Sequence, residues 1–198
     1  LADVYVNDDF ASAHRKSAST VAITKFLPCV YGPTLASEVA SLRRALDSGR
    51  HPFVVVVGGA KMSDKIGVIR NLLPCADAIL SGGGVANVLL QARGVDIGSS
   101  LSEPDMLHVA RRLARHGKVV TPLDYVTKGG RILDIGPKTI RAYRETIARA
   151  KSVVWVGPLG LIEEKGYARG SAAIARAIAR SEAFRETGYA TAFMGKWH

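Results

Sequence analysis

The sequence predicts an α/β protein with a Rossmann-like, three-layer arrangement: a parallel sheet with helices on both faces. Three observations carry this. Short runs of continuous apolar residues recur at 54–57, 78–80, 119–121 and 153–156. A strand that is apolar at every position has no face for water and must be covered on both sides. Amphipathic helical patterns separate the runs, which is the alternation that builds a parallel sheet by crossover. Glycine stands close behind several runs, at Gly58-Gly59, Gly82-Gly83-Gly84 and Gly157, as strand ends leading into tight turns require.

The elements follow in order. Residues 1–20 hold the polar stretch "VNDDFASAHRKSAST", without an apolar period, and read as the exit from another domain. Residues 34–47 place Leu35, Val39, Leu42 and Leu46 on one helical stripe. Behind the first strand, Ser63 is predicted to cap a helix carrying Ile66, Ile69 and Leu73. Residues 85–93 read as a helix ended by Gly94. Ser102 and Asp105 open another that runs through His116 to Gly117, and 137–150 and 171–184 are two more. The predicted organisation is 1–33, a remnant of a preceding domain; 34–50, an interdomain helix; 51–184, the α/β domain; and 185–198, an atypical tail.

Composition narrows the function. Apolar residues make up 47% of 198, enough for a substantial core. No apolar run approaches the ~18 residues of a membrane helix. The first ten residues show no secretory pattern, and Cys29 and Cys75 lack metal-type spacing, so a cytoplasmic protein with free thiols is expected. The net charge of +10 favours anionic partners. Much of it lies in "RRLAR" and "ARAIAR", whose spacing keeps apolar residues facing inward and describes solvated helix faces. With aromatics at 7% and no recognised nucleic-acid motif, nucleic acid is not the expected partner.

Ligands of open α/β sheets bind outside the carboxyl ends of the strands, where the glycines cluster. Lys61 and Lys65 follow the first glycine pair and supply point charges for phosphate oxygens. Two lysines four apart also describe a solvated helix face, and neither GxGxxG nor GxxxxGK[ST] is present. The signal is the set of glycine stations along one sheet.

The stretches "NDDFASAHRKSAST", "GGAKMSDKIGVIRNLL", "SGGGVANVLLQARG", "LDIGPKT" and "VVWVGPLGLIEE" resemble, in order, the signature stretches of the phosphoglycerate kinase family. The resemblance implies two α/β domains closing on a hinge, phosphoryl transfer between 1,3-bisphosphoglycerate and ADP, Mg²⁺ carried with ADP or ATP, and a monomer. It implies Arg15 as a substrate-phosphate arginine in the N-terminal remnant. Lys61 is similar to the lysine that steadies the transferring phosphoryl group, and Lys65 to the one that holds nucleotide phosphates. Gly83, Gly84 and Gly136 resemble the adenine-side wall, Pro158, Gly160 and Leu161 the lining of base and ribose, and Glu163 the carboxylate that takes the ribose hydroxyls.

Departures accompany the resemblance. Val156 stands where the family usually carries Asn, the segment between "TPLDYV" and "LDIGPKT" is short, and the early Asp-Asn pair is absent. The late GGGDS/T turn, whose Asp helps hold Mg²⁺, is also absent. In its place "TGYATAFMGKWH" resembles a segment of type I sulfatases, with Lys196 and His198 in the matching positions. The sulfatase nucleophile motif C/S-x-P-x-R occurs nowhere, so sulfatase activity is not expected. The expectation is a nucleotide site of phosphoglycerate kinase type, inactive alone, with a non-catalytic nucleotide-binding module as the alternative.

Overall fold

The computed structural model describes residues 2–10, 12–13, 16–47, 50–182 and 191–193. Arg15, Lys196 and His198 lie outside the described residues.

The central sheet has five strands, all parallel: β3 (Phe53–Val57), β4 (Ala78–Ser81), β5 (Val119–Val120), β8 (Ser152–Val156) and β9 (Thr191–Phe193), in the order β5-β4-β3-β8-β9. The alternation of a strand's side chains explains why β3 is apolar throughout. Val55 and Val57 point into one core with Ile79, Val88, Leu89, Ala110 and Leu113. Val54 and Val56 point into the other with Leu80, Tyr143, Ile147, Ile174 and Ile178. The first core is covered by α2 (Ile66–Leu72), α3 (Gly83–Ala92) and α4 (Leu107–Ala114), and the second by α5 (Pro137–Ala148) and α6 (Arg169–Arg180). This is the predicted three-layer plan.

Two smaller sheets flank it. β1 (Tyr5–Asn7) and β2 (Cys29–Tyr31) pair in parallel ahead of α1 (Pro33–Asp47). The Asp8 carboxylate accepts the Leu35 N–H at 2.9 Å, and this bond holds its carboxyl below the usual value. The second, a hairpin of β6 (Tyr125–Lys128) and β7 (Arg131–Ile135), was not expected from the sequence. Its signal is Gly129-Gly130, both at positive φ (58° and 74°), which two-residue hairpin turns demand.

Some local expectations change. Ser63 does not cap α2, because its hydroxyl donates to Glu103 Oε1 at 2.5 Å and Lys65 takes the cap position. Ser102 likewise bonds Gln91 Oε1 at 2.5 Å, and a short turn at Pro104–Met106 precedes α4. Within the predicted tail, Thr191–Phe193 is a sheet strand, in register with Val153–Trp155 as Val153↔Thr191 and Trp155↔Phe193. Among the described residues no helix is long and apolar enough to cross a membrane.

Candidate functional site

β3, β4 and β8 end side by side, and the turns that leave them are bonded to one another. Gly59 N–H donates to Pro158 O at 2.7 Å, Gly83 N–H to Leu159 O at 2.9 Å, and Gly84 N–H to Gly59 O at 2.8 Å. A Cβ on Gly58 would stand 2.0 Å from Pro158 O, and one on Gly84 2.0 Å from Ala60 O. These positions are glycine because three turns share one small volume. The amides of Gly59, Gly83 and Gly84 are therefore used within the protein rather than aimed at a ligand.

A solvent-open pocket with about 540 Å³ of empty space lies against this net. Gly83, Gly84, Pro158, Gly160, Leu161 and Glu163 all line it, so these predicted residues, scattered over eighty positions of sequence, meet at one place. Lys65 sits at the pocket's edge: its Cε lies 3.4 Å from where a Gly59 Cβ would be, and Gly59 itself lines the pocket. Lys61 is exposed on the loop between β3 and α2 and is not part of the lining.

Gly136 stands apart. It is the N-cap of α5, and a Cβ there would meet the Asp124 carboxylate at 2.3 Å. Asp124 closes that helix end by accepting Lys138 N–H at 3.0 Å and Thr139 N–H at 2.7 Å. Desolvation draws the Asp124 carboxyl upward, but these bonds, with the Thr139 hydroxyl and the Lys138 charge, outweigh it and hold it below its usual value. The glycine makes room for this cap. Val156 also points away from the pocket, into the apolar core with Val55 and Val57.

Sequence reasoning missed several groups. The hairpin brings Arg131, Ile132 and Leu133 to the pocket, and α3 brings Asn87. Asn87 is 3% exposed; its Nδ2 donates to Leu101 O at 3.2 Å, and its Oδ1 has no partner among the described residues. Beneath Gly160, the buried Asp134 carboxylate accepts the N–H groups of Ile135 (2.8 Å) and Gly170 (2.7 Å). Burial pushes its carboxyl up, and those bonds only partly offset it. Glu103 binds the lysine-bearing loop, accepting Met62 N–H, Ser63 N–H (3.1 Å) and the Ser63 hydroxyl (2.5 Å). Desolvation raises it, but those bonds and the nearby Lys61 charge prevail, so its carboxyl lies below the usual value. Among the described residues no group of three or more His, Cys, Asp or Glu side chains is placed to hold a metal ion.

The family model described as phosphoglycerate kinase matches residues 1–192. The chain belongs to the phosphoglycerate kinase family. It is similar to the phosphoglycerate kinase of Roseiflexus sp. (strain RS-1), 46% identical over 203 residues that cover 90% of this chain and 51% of that one. It is 44% identical to that of Herpetosiphon aurantiacus over 207 residues, 92% of this chain and 52% of the relative. Among solved structures it matches phosphoglycerate kinase from Coxiella burnetii with a TM-score of 0.80 at 35% identity, covering 99% of this chain and 55% of that chain. The match to the enzyme from Pyrococcus horikoshii OT3 also has a TM-score of 0.80, at 29% identity, covering 98% and 58%. The chain thus spans about half the length of the curated phosphoglycerate kinases it matches. The family match takes in residues 187–192, half of the stretch that resembles a sulfatase segment.

Proposed function

We propose that this chain supplies the ADP/ATP site of a phosphoglycerate kinase, the glycolytic enzyme that passes a phosphoryl group between 1,3-bisphosphoglycerate and ADP. The observation that carries the reading is the convergence of Gly83, Gly84, Pro158, Gly160, Leu161 and Glu163 on one pocket with Lys65 at its edge. Gly83, Gly84 and Pro158 form the base-side wall, and Glu163 takes the ribose hydroxyls. Lys65 holds the nucleotide phosphates in the ground state.

In the forward reaction a β-phosphate oxygen of ADP attacks the acyl-phosphate phosphorus. The bond from phosphorus to the carboxyl oxygen breaks and 3-phosphoglycerate leaves as a carboxylate. Such transfer depends on positioning and on neutralising charge at the transferring group. Lys61, exposed and outside the pocket, is assigned to that group, and Arg15 to the 3-phosphoglycerate phosphate. The family's Mg²⁺ would come with the nucleotide, held by its phosphates, since among the described residues no group of three or more His, Cys, Asp or Glu side chains is placed to hold it. Gly136 acts through the helix end it lets Asp124 close.

Calorimetry with ADP tests the reading. Lys65→Ala removes a charge-assisted contact and should weaken binding by about 1.5–3 kcal/mol. Equal ADP affinity in the two proteins would remove Lys65 from the site. A second reading, a nucleotide-binding module without catalysis, is favoured by Val156, whose side chain belongs to the core rather than to the phosphate side. The chain alone should show no turnover on either reading. Activity restored by a family N-terminal half added in trans would decide for the kinase.

A further inference from the structure

The loop that carries Lys61 and Lys65 is closed from within only at its far end, where Met62 O accepts the N–H groups of Lys65 and Ile66, both at 2.9 Å. It leaves β3 through Gly58-Gly59 and ends at Lys65, the N-cap of α2, which has no side-chain cap bond. Two features hold its middle. The Met62 side chain is fully buried, and the Glu103 carboxylate gathers three donors, Met62 N–H, Ser63 N–H and Ser63 Oγ–H. An apolar plug sets the depth of a loop, whereas directional bonds to two successive amides set its rotation. Rotation decides where side chains on either side of Met62 and Ser63 project.

Glu103 ends a strap, residues 98–103, tied along its length to the pocket walls. Gly98 bridges to Arg131, and Ser99 N–H donates to Gly130 O at 3.0 Å. Ser100 Oγ accepts Ile132 N–H at 2.8 Å, and Leu101 O accepts Asn87 Nδ2 at 3.2 Å. Leu101 also lines the pocket. One short strap therefore joins the hairpin wall to the lysine loop.

We propose that Glu103 is a positioning residue for the phosphate-binding lysines, registering the Lys61–Lys65 loop against the wall of the nucleotide pocket. The proposal rests on the nucleotide-site reading above. It has an unusual sign. Glu103 is an anion near Lys61. Counting charge alone, its removal should strengthen phosphate binding. Positioning predicts the reverse, because a lysine held in the wrong direction loses its contact.

The test is calorimetry of the full 198-residue chain with ADP and, separately, adenosine. Glu103→Gln keeps the shape, removes the charge and leaves one acceptor oxygen for three donors. It should weaken ADP about tenfold or more, the loss of one charge-assisted contact, and leave adenosine within about twofold, since the base and ribose do not use the lysines. Unchanged or tighter ADP binding by Glu103→Gln would overturn the proposal. So would equal loss for ADP and adenosine, which would make Glu103 a support of the pocket alone. Wild-type chain that binds neither ligand overturns the nucleotide-site reading itself, and one that binds both equally removes the lysines and this proposal with them. Ser63→Ala, which deletes only the exposed hydroxyl bond, should shift ADP the same way by a smaller factor. If Glu103→Gln does not fold, unchanged ADP affinity in Ser63→Ala overturns the proposal.

Discussion

Gly84→Ala probes the turn net directly. The added methyl would stand 2.0 Å from Ala60 O and 2.7 Å from Ala60 C, where ordinary contact begins at 3.4 Å. The obstacle is backbone, so no side chain can swing away, and the turn must retreat by more than an ångström. Overpacking of this kind costs about 1–3 kcal/mol. Retreat also stretches the 2.8 Å bond from Gly84 N–H to Gly59 O, a further ~0.5–1.5 kcal/mol. Alanine returns up to about 1 kcal/mol in helix propensity. The net expectation is a loss of about 1–3 kcal/mol, read by urea denaturation. Gly67→Ala is the control. Gly67 lies in α2 with nothing within 4 Å of the added carbon. That substitution should stabilise by about 0.5–1 kcal/mol. Gly84→Ala as stable as Gly67→Ala would refute the claim that the glycines exist for close packing of the turns.

Two further outcomes concern the rest of the molecule. Burial raises the Asp134 carboxyl above its ordinary 3.8, so its stabilising contribution is complete below that value and is lost as pH rises through the raised one. Wild type should therefore lose stability relative to Asp134→Asn as pH rises above 3.8; a difference that does not change with pH contradicts the assignment. The β1–β2 ribbon leaves Val4, Val6, Val30 and Tyr31 exposed. Hydrogen exchange should find amides 4–7 far less protected than 54–57, and equal protection would show that this two-stranded ribbon is as stable as the central sheet.

The sheet was legible because burial on both faces leaves a plain mark: four strands of continuous apolar residues, each bounded by a turn. The helices were legible from their apolar stripes. What the sequence concealed was mostly polar and non-local. Glu103 is 40 residues from Ser63, and nothing in either neighbourhood announces the bond. Local rules favoured Ser63 and Ser102 as helix caps, but tertiary partners at Glu103 and Gln91 claimed both hydroxyls. The β6–β7 hairpin did leave a signal, in Gly129-Gly130, but its strands are exposed on one side and lack the apolar run that marks the others. Gly59, Gly83 and Gly84 stand behind the strand ends, as their place in the sequence suggests, and line the pocket. Their reason differed, since Gly58 and Gly84 answer to neighbouring carbonyls.

The central claim is that the carboxyl ends of β3, β4 and β8 form the nucleotide site, and amide chemical-shift mapping during a titration with Mg-ADP tests it most directly. The account predicts saturable shifts at Gly59, Lys65, Gly83, Leu161 and Glu163, with β1, β2 and the far end of α5 near Ala148 unmoved. Shifts confined to the arginine-rich faces of α4 and α6, with Gly83 and Leu161 unchanged, would contradict it and make the nucleotide a counter-ion of the +10 surface.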